Sequence, residues 1–251
     1  MYLNRKSFES TSNVRESVLN ETIMPTAEEL ILQTLRDKAS LKQDLFRITS
    51  DTFEMFKQQL RAVASRLNEK VKLFDERIIV EYVDQSPFSI HIRIAGDLLI
   101  FEMHTNVFLF DSSHKIWNLS YVQEDNSRAY CGMISMYNFL SDSQKYKRVN
   151  DVGYMIGRLF INVDKHFMVE GKRQMGFLYN NFSVDVLNDE KMVEVIESAI
   201  LYCLNFDLLT PPYDTVQEAT FSSLNENAQV INGVTGKRLG FRFHHDEDQI
   251  S

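Results

Sequence analysis

The sequence predicts an α+β protein in which a large, mainly antiparallel sheet of short strands is covered by a long N-terminal helix and a C-terminal helix. Three patterns support this fold class. A helical hydrophobic period runs from Ser40 to Phe74, short β-rich runs follow as far as Phe182, and a second helical period begins after Asn188. The β-rich runs lie too close together for helical crossovers, so we expect about six to eight antiparallel strands.

Length and composition favour one globular domain. The chain has 251 residues, of which 44% are hydrophobic and 25% are charged, as in an ordinary soluble protein with a full core. Both ends lack the apolar periodicity that would tie them to this core. We therefore predict a mobile N-terminal arm at 1–24, a single α+β domain at 25–212 and a polar, loosely attached tail at 213–251.

Charge, cysteine content and hydropathy exclude several classes of function. The net charge of −8 argues against a general polyanion binder. Cys131 and Cys203 lie in apolar patterns, so we expect buried thiols and neither a disulfide framework nor a structural zinc site. No run approaches the roughly 18–20 apolar residues of a membrane span, and the N-terminus has no signal-peptide core. The sequence therefore predicts a cytoplasmic protein with no membrane partner.

A short helix is predicted before the long one. Pro25-Thr26 followed by Glu29 has the form of a capping box, in which a hydroxyl and a carboxylate satisfy backbone N–H groups of the first turn. Leu30, Ile31 and Leu35 then predict a short amphipathic helix.

The long helical pattern begins at Ser40 and predicts one helix, or two helices broken near Ser50-Asp51. Its cationic side is interpreted as a solvated face, and a homodimer through the long N-terminal helix is the alternative. The apolar stripe comprises Leu45, Ile48, Thr52, Phe56, Leu60, Val63, Leu67, Val71 and Phe74, and the opposite side carries Lys57, Arg61, Arg66 and Lys70.

Alternating apolar residues between Asp75 and Phe110 predict consecutive antiparallel strands broken at Ser86-Pro87 and Ala95-Gly96. One face of the second strand carries Phe88, Ile90, Ile92 and Ile94, and the other carries Ser89, His91 and Arg93. We interpret the face with Ser89, His91 and Arg93 as exposed to solvent, covered by polar groups or part of a site. Two more strands are predicted, one at WNLSYV (117–122) and one at Tyr130 to Leu140, where a short helix is the alternative.

A β-meander is predicted between Tyr154 and Phe182. Its strands are Gly157 to Val163, His166 to Glu170 and Arg173 to Phe182, with tight turns at Asp164-Lys165 and Gly171-Lys172. The last helix, 189–207, starts at the cap Asn188 and should bury Met192, Val195, Ile196, Ala199, Ile200, Cys203 and Leu204.

A basic surface is predicted beside the meander. The polar connection 144–150 and the second meander turn carry Lys145, Lys147, Arg148, Lys172 and Arg173. Aromatic residues such as Tyr146 and Tyr154 are interleaved, and cations with aromatic rings can bind single-stranded or looped nucleic acid as well as acidic proteins. The alternative is that the charges face water while the aromatic rings enter the core.

Two further clusters suggest metal chemistry. Glu102, His104, Asp111 and His114 offer carboxylate and imidazole ligands for a divalent metal, although their spacing is not diagnostic. Glu170-Gly171-Lys172, with Asp164 upstream, is similar to the Asp and Glu-x-Lys pattern of metal-dependent nucleases, in which acids hold Mg²⁺ and lysine stabilises developing charge. The alternatives are solvent-facing strand ends and a charged hairpin turn.

The sequence contains no Gly-rich phosphate loop, no G-x-S-x-G elbow and no paired C-x-x-C. The leading prediction is therefore a non-catalytic intracellular protein without a cofactor. It would bind a protein or nucleic-acid partner through the meander and its basic connection. The alternative is a nuclease-like, metal-dependent phosphodiester hydrolase that uses one of the two clusters and a divalent metal.

Overall fold

An antiparallel sheet forms the centre of the protein. The computed structural model describes residues 25–171, 179–207 and 213. Within them the strands are β1 Val80–Ser86, β2 Ser89–Ile94, β3 Asp97–Met103, β4 Phe108–Leu109, β5 Tyr130–Leu140, β6 Tyr154–Ile161 and β7 Phe167–Gly171. Their order in the sheet is β1-β2-β3-β5-β6-β7, and β4 pairs with β5 beyond the end of β3. All neighbours are antiparallel, which confirms the predicted sheet.

The N-terminal helices form one continuous rod. Helix α1 is Ala27–Thr34, a π-helical turn covers Leu35–Ala39, and α2 is Ser40–Lys72. The predicted capping box is confirmed, because the Thr26 hydroxyl accepts from the Glu29 N–H and the Glu29 carboxylate accepts from the Thr26 N–H. Helix α2 is unbroken at Ser50-Asp51. The other helices are α3 Ser120–Glu124, α4 Ser141–Lys145 and α5 Asp189–Leu204.

The main core lies between the sheet and the pair α2 and α5, as predicted. Among its fully buried residues are Phe53, Phe56 and Leu60 of α2, Ile90, Ile92, Leu99, Phe101 and Ile134 of the sheet, and Val195, Ile196 and Ala199 of α5. Leu204 was predicted to share the buried face of α5, but it lies in the last turn and is exposed.

Two predictions for α2 are wrong. Phe74 lies beyond the end of the helix and is 72% exposed, because the stripe leaves the sheet at the last turn. Lys57 is buried, although the sequence placed it on the solvated face. Its ammonium lies 3.1 Å from Glu54 and 3.2 Å from Asp84 of β1, and donates to the Ser86 carbonyl oxygen at 3.0 Å. These three partners replace the water that the ammonium loses.

A second, smaller core covers one end of the opposite sheet face. The prediction of a strand at 117–122 is wrong, since this segment forms a 3₁₀ turn at Lys115–Asn118 followed by α3. The apolar residues Ile116, Leu119 and Val122 recur every three positions, which suits helical turns rather than a strand. This cluster contains Ile116, Val122, Ala129, Cys131, Phe160, Met168 and Phe182.

The meander is partly confirmed. Strands β6 and β7 form a hairpin whose turn contains Asp164 and Lys165, and Lys165 adopts a positive φ of 61°. Gly171 is the last residue of β7 and pairs with Gly157, so the predicted second turn does not begin there. Of the third predicted strand, 173–178 lie outside the described residues, and 179–182 form loop and turn.

The connection at 144–150 is polar, as predicted, but its start belongs to α4. The arm at 1–24 and nearly all of the tail at 213–251 lie outside the described residues. Across the described part of the chain, none of the helices combines the length and the apolar character needed to cross a lipid bilayer.

Candidate functional site

The sheet face opposite α2 and α5 carries a polar band at the end that the second core leaves open. The strand register brings five residues side by side across β2, β3, β5, β6 and β7, namely Ser89, Glu102, Ser135, Arg158 and Glu170. Arg158 donates from Nε to Glu170 at 2.9 Å and also from its terminal amino group. The band is therefore a row of hydrogen-bonding groups with one internal ion pair.

An apolar row lies next to this band. Val83, His91, Ile100 and Tyr137 are cross-strand neighbours, and all four are half-buried. Burial lowers the pKa of His91, so the neutral imidazole is favoured there. Its Nε2 lies 3.3 Å from the Ser89 hydroxyl. This half-exposed apolar row could contact an apolar side chain of a ligand.

The basic connection lies where β5 ends and β6 begins. The Ser141 N–H donates to the Gly96 carbonyl oxygen at 2.8 Å, which ties α4 to the turn between β2 and β3. Beyond α4 the chain reverses at Lys147, whose φ is 52°. The ammonium of Lys145 lies 4.9 Å from the centroid of the Tyr146 ring, and the guanidinium of Arg148 lies 5.2 Å from it. Both distances are in the range of cation–π attraction.

Arg93 of β2 lies near this connection, because it pairs with Leu98 of β3, which in turn pairs with Phe139, two residues before α4. Its positive charge acts on Lys145, where it opposes the rise in pKa that the Tyr146 hydroxyl causes. Arg93 also donates to Glu81 at 2.6 Å, so part of its charge is neutralised within the fold. We define the basic surface as Lys145 and Arg148, which lie against the Tyr146 ring, together with Lys147 between them in sequence and the nearby Arg93.

The predicted partners Lys172 and Arg173 lie outside the described residues. The chain leaves β7 at Gly171, which pairs with Gly157 near the start of β6. The connection at 144–150 leads into that same end of β6. The last described residue of β7 and the basic surface therefore lie at one end of the sheet, and the joining of Lys172 and Arg173 to this surface stays a prediction.

The residues of the nuclease-like pattern are separated. Asp164 lies in the turn before β7 and accepts hydrogen bonds from Tyr121 at 2.8 Å and Arg128 at 3.1 Å. Glu170 lies near the other end of β7 and is paired with Arg158. The third member, Lys172, is outside the described residues. The two carboxylates thus have different partners at opposite ends of one strand.

The four predicted metal ligands also have local partners. His104 accepts from the Asn106 N–H at 3.0 Å, and Asp111 accepts from the Ser113 N–H at 2.9 Å. His114 accepts from the Ile116 N–H and stacks on Phe110 at 4.5 Å. Glu102 is exposed in the polar band. No three His, Cys, Asp or Glu side chains in the described ranges are arranged to hold a metal ion.

Sequence reasoning missed a polar network at the other end of the sheet. The Tyr121 ring stacks between the Arg128 guanidinium at 4.2 Å and the His166 ring at 4.5 Å. Its hydroxyl donates to Asp164 and accepts from the fully buried Asn162 at 2.9 Å. Tyr121 and Asn162 are 41 positions apart, so no local pattern signals their contact. The network joins α3 to the β6–β7 turn.

Comparison with models of known protein families found no matching family, and comparisons with curated proteins and with solved structures found no similar chain. The candidate site therefore depends on the geometry of this chain alone.

Proposed function

We propose that the protein is a cytoplasmic, non-catalytic binding protein that captures an acidic segment of a protein partner on the basic surface. The observation that carries this proposal is the position of Lys145 and Arg148, both within cation–π distance of the Tyr146 ring on the connection between β5 and β6, in a chain with a net charge of −8. A local positive surface on an acidic body attracts an anionic segment while the remaining surface repels it.

An acidic protein segment suits this surface better than nucleic acid does. The Tyr146 ring is already within cation–π distance of two cations, so a stacked base would compete with them. The net negative charge of the protein disfavours the binding of a uniform polyanion such as nucleic acid. The adjacent apolar row, which includes Ile100 and Tyr137, offers contacts to apolar side chains of a peptide. Lys172 and Arg173 follow β7 in the sequence and are proposed to extend the surface.

A reducing compartment is consistent with the two thiols. Cys131 and Cys203 are both buried and are not joined in a disulfide, and reduced thiols of this kind are typical of cytoplasmic proteins. Burial raises the pKa of Cys131, which makes it a poor nucleophile. The hydrolase alternative has less support, because Asp164 and Glu170 have different partners at opposite ends of β7.

Fluorescence anisotropy with two labelled probes tests the proposal. One probe is an acidic, leucine-containing peptide and the other is oligothymidylate. The double variant Lys145→Glu/Lys147→Glu should bind the peptide about tenfold or more weakly than the native protein, and native binding should weaken with salt. Thermal melting should change little, because both lysines are exposed.

The matched control is Lys115→Glu/Lys165→Glu, at the other end of the sheet. Both control lysines are exposed, and Lys165 shares the positive φ of Lys147. This control changes net charge equally, so it should retain most peptide binding. Equal losses in both double variants, or no peptide binding by the native protein, would refute the proposal. If the native protein bound oligothymidylate more tightly than the peptide, the partner would be a nucleic acid and not an acidic protein segment.

A further inference from the structure

The N-terminal rod, residues 27–44, extends beyond the core. Residues 27–38 are exposed, Ala39 and Leu41 are half-buried, and the first buried residue is Leu45. At 1.5 Å per residue the rod is about 27 Å long. The capping box at Thr26 and Glu29 specifies where it starts.

An apolar patch covers the first half of this rod. Leu30, Ile31, Leu32 and Leu35 are between 48% and 59% exposed. Ile31 and Leu35 are four positions apart and lie on one face of the helix, with Leu30 and Leu32 on its flanks. Contiguous exposed apolar side chains on a segment that projects from the core are a feature of protein–protein interaction sites.

The charges of the rod are asymmetric along its axis. Glu28 and Glu29 occupy the first turn of α1. The second half carries the cations Arg36, Lys38 and Lys42, and it also contains the acids Asp37 and Asp44. A helix that is acidic at its start and basic further along is complementary to a reversed copy of itself. A two-fold interface of this kind uses the same surface on both subunits.

We propose that a second copy of this chain docks antiparallel on the rod, with the two-fold axis near Gln33. In this arrangement Ile31 lies level with Leu35 of the other copy, and Glu28 lies level with Lys38. The apolar patch is buried between the two rods, and opposite charges face each other at both ends of the contact. Because the contact is short, the dimer Kd should lie in the micromolar range.

Sedimentation velocity of the full chain at about 1 to 200 μM tests this dimer. The native protein should pass from monomer to dimer as concentration rises. Ile31→Glu should raise the dimer Kd at least tenfold, since it places a charge in the apolar contact. The matched control is Leu201→Glu on α5, because Leu201 is as exposed as Ile31, at 59%. The control should dimerise like the native protein.

A charge exchange tests the antiparallel arrangement itself. Glu28→Lys and Lys38→Glu should each weaken the dimer, and the double variant Glu28→Lys/Lys38→Glu should restore it. Coverage of the patch by the arm at 1–24 of the same chain would leave a monomer at every concentration and would overturn the proposal. A dimer that survives Ile31→Glu, or a double variant no tighter than the single variants, would also overturn it.

Discussion

A Cβ atom on Gly132 would lie 1.9 Å from the hydroxyl oxygen of Thr49, so α2 and β5 meet where only a hydrogen atom fits. Thr49 is buried and donates its hydroxyl to the Leu45 carbonyl oxygen at 2.7 Å. Turning the side chain away would break this hydrogen bond. The distance between the long helix and the centre of the sheet is therefore set by the missing side chain at Gly132.

Replacing Gly132 with Ala should lower the free energy of unfolding by about 1–3 kcal/mol, because the core is overpacked at this contact. Urea denaturation measures the change. Gly96→Ala is the control, since a Cβ there has no neighbour within 4 Å. Adding Thr49→Ala to Gly132→Ala should recover part of the loss. Equal stability of the two single variants would contradict the close contact.

Truncating Ile196 should lower stability strongly, because this residue of α5 is fully buried in the core between the helix and the sheet. Ile196→Ala should cost about 2–5 kcal/mol, because it removes buried methyl and methylene groups and leaves a cavity. Leu201→Ala, on the exposed side of the same helix, should change stability by less than about 0.5 kcal/mol. If both variants melted like the native protein, the docking of α5 on the sheet would be wrong.

Removing the Lys57 ammonium should cost less folding stability than removing the charges of its two carboxylate partners. Burial disfavours the ammonium, but Glu54 and Asp84 more than offset this and raise the pKa of Lys57. Lys57→Met fills the same space, and the exposed carboxylates regain water, so the cost should be below about 1 kcal/mol. Glu54→Gln/Asp84→Asn leaves a buried cation without an anion and should cost more. Chemical denaturation compares the two variants, and the reverse order would contradict this account.

The stability of the protein should fall with rising pH in alkaline solution, because folding raises the pKa of Tyr121. Burial, helped by Asp164 and opposed by Asn162 and Arg128, raises the pKa of Tyr121 from 10.0 to about 12. The unfolded chain therefore loses this proton near pH 10, whereas the folded protein keeps it up to about pH 12. The contribution of this raised pKa to the free energy of unfolding is complete below pH 10 and is lost as the pH rises from 10 to 12. The stability difference between the native protein and Tyr121→Phe should shrink across this window in denaturation measured at several pH values. A constant difference would contradict the raised pKa.

Local patterns predicted those elements in which one hydrophobic period continues without interruption. The positions Val195, Ile196 and Ala199 followed the helical period and are buried, and Ile90 and Ile92 followed the strand period and are buried. Turn and cap residues located several boundaries in the same way. These signals are local because each depends on the backbone conformation of a few consecutive residues.

The sequence by itself determined the fold class, the antiparallel character of its sheet and the cationic character of the connection at 144–150. Only the tertiary structure decided which distant groups meet. Lys57 is buried because β1 brings Asp84 to it, and Arg93 joins the basic surface because α4 docks on the turn at Gly96. Periodicity records which side of an element avoids water, but it carries no information about which charged or polar side chain a neighbouring element will supply.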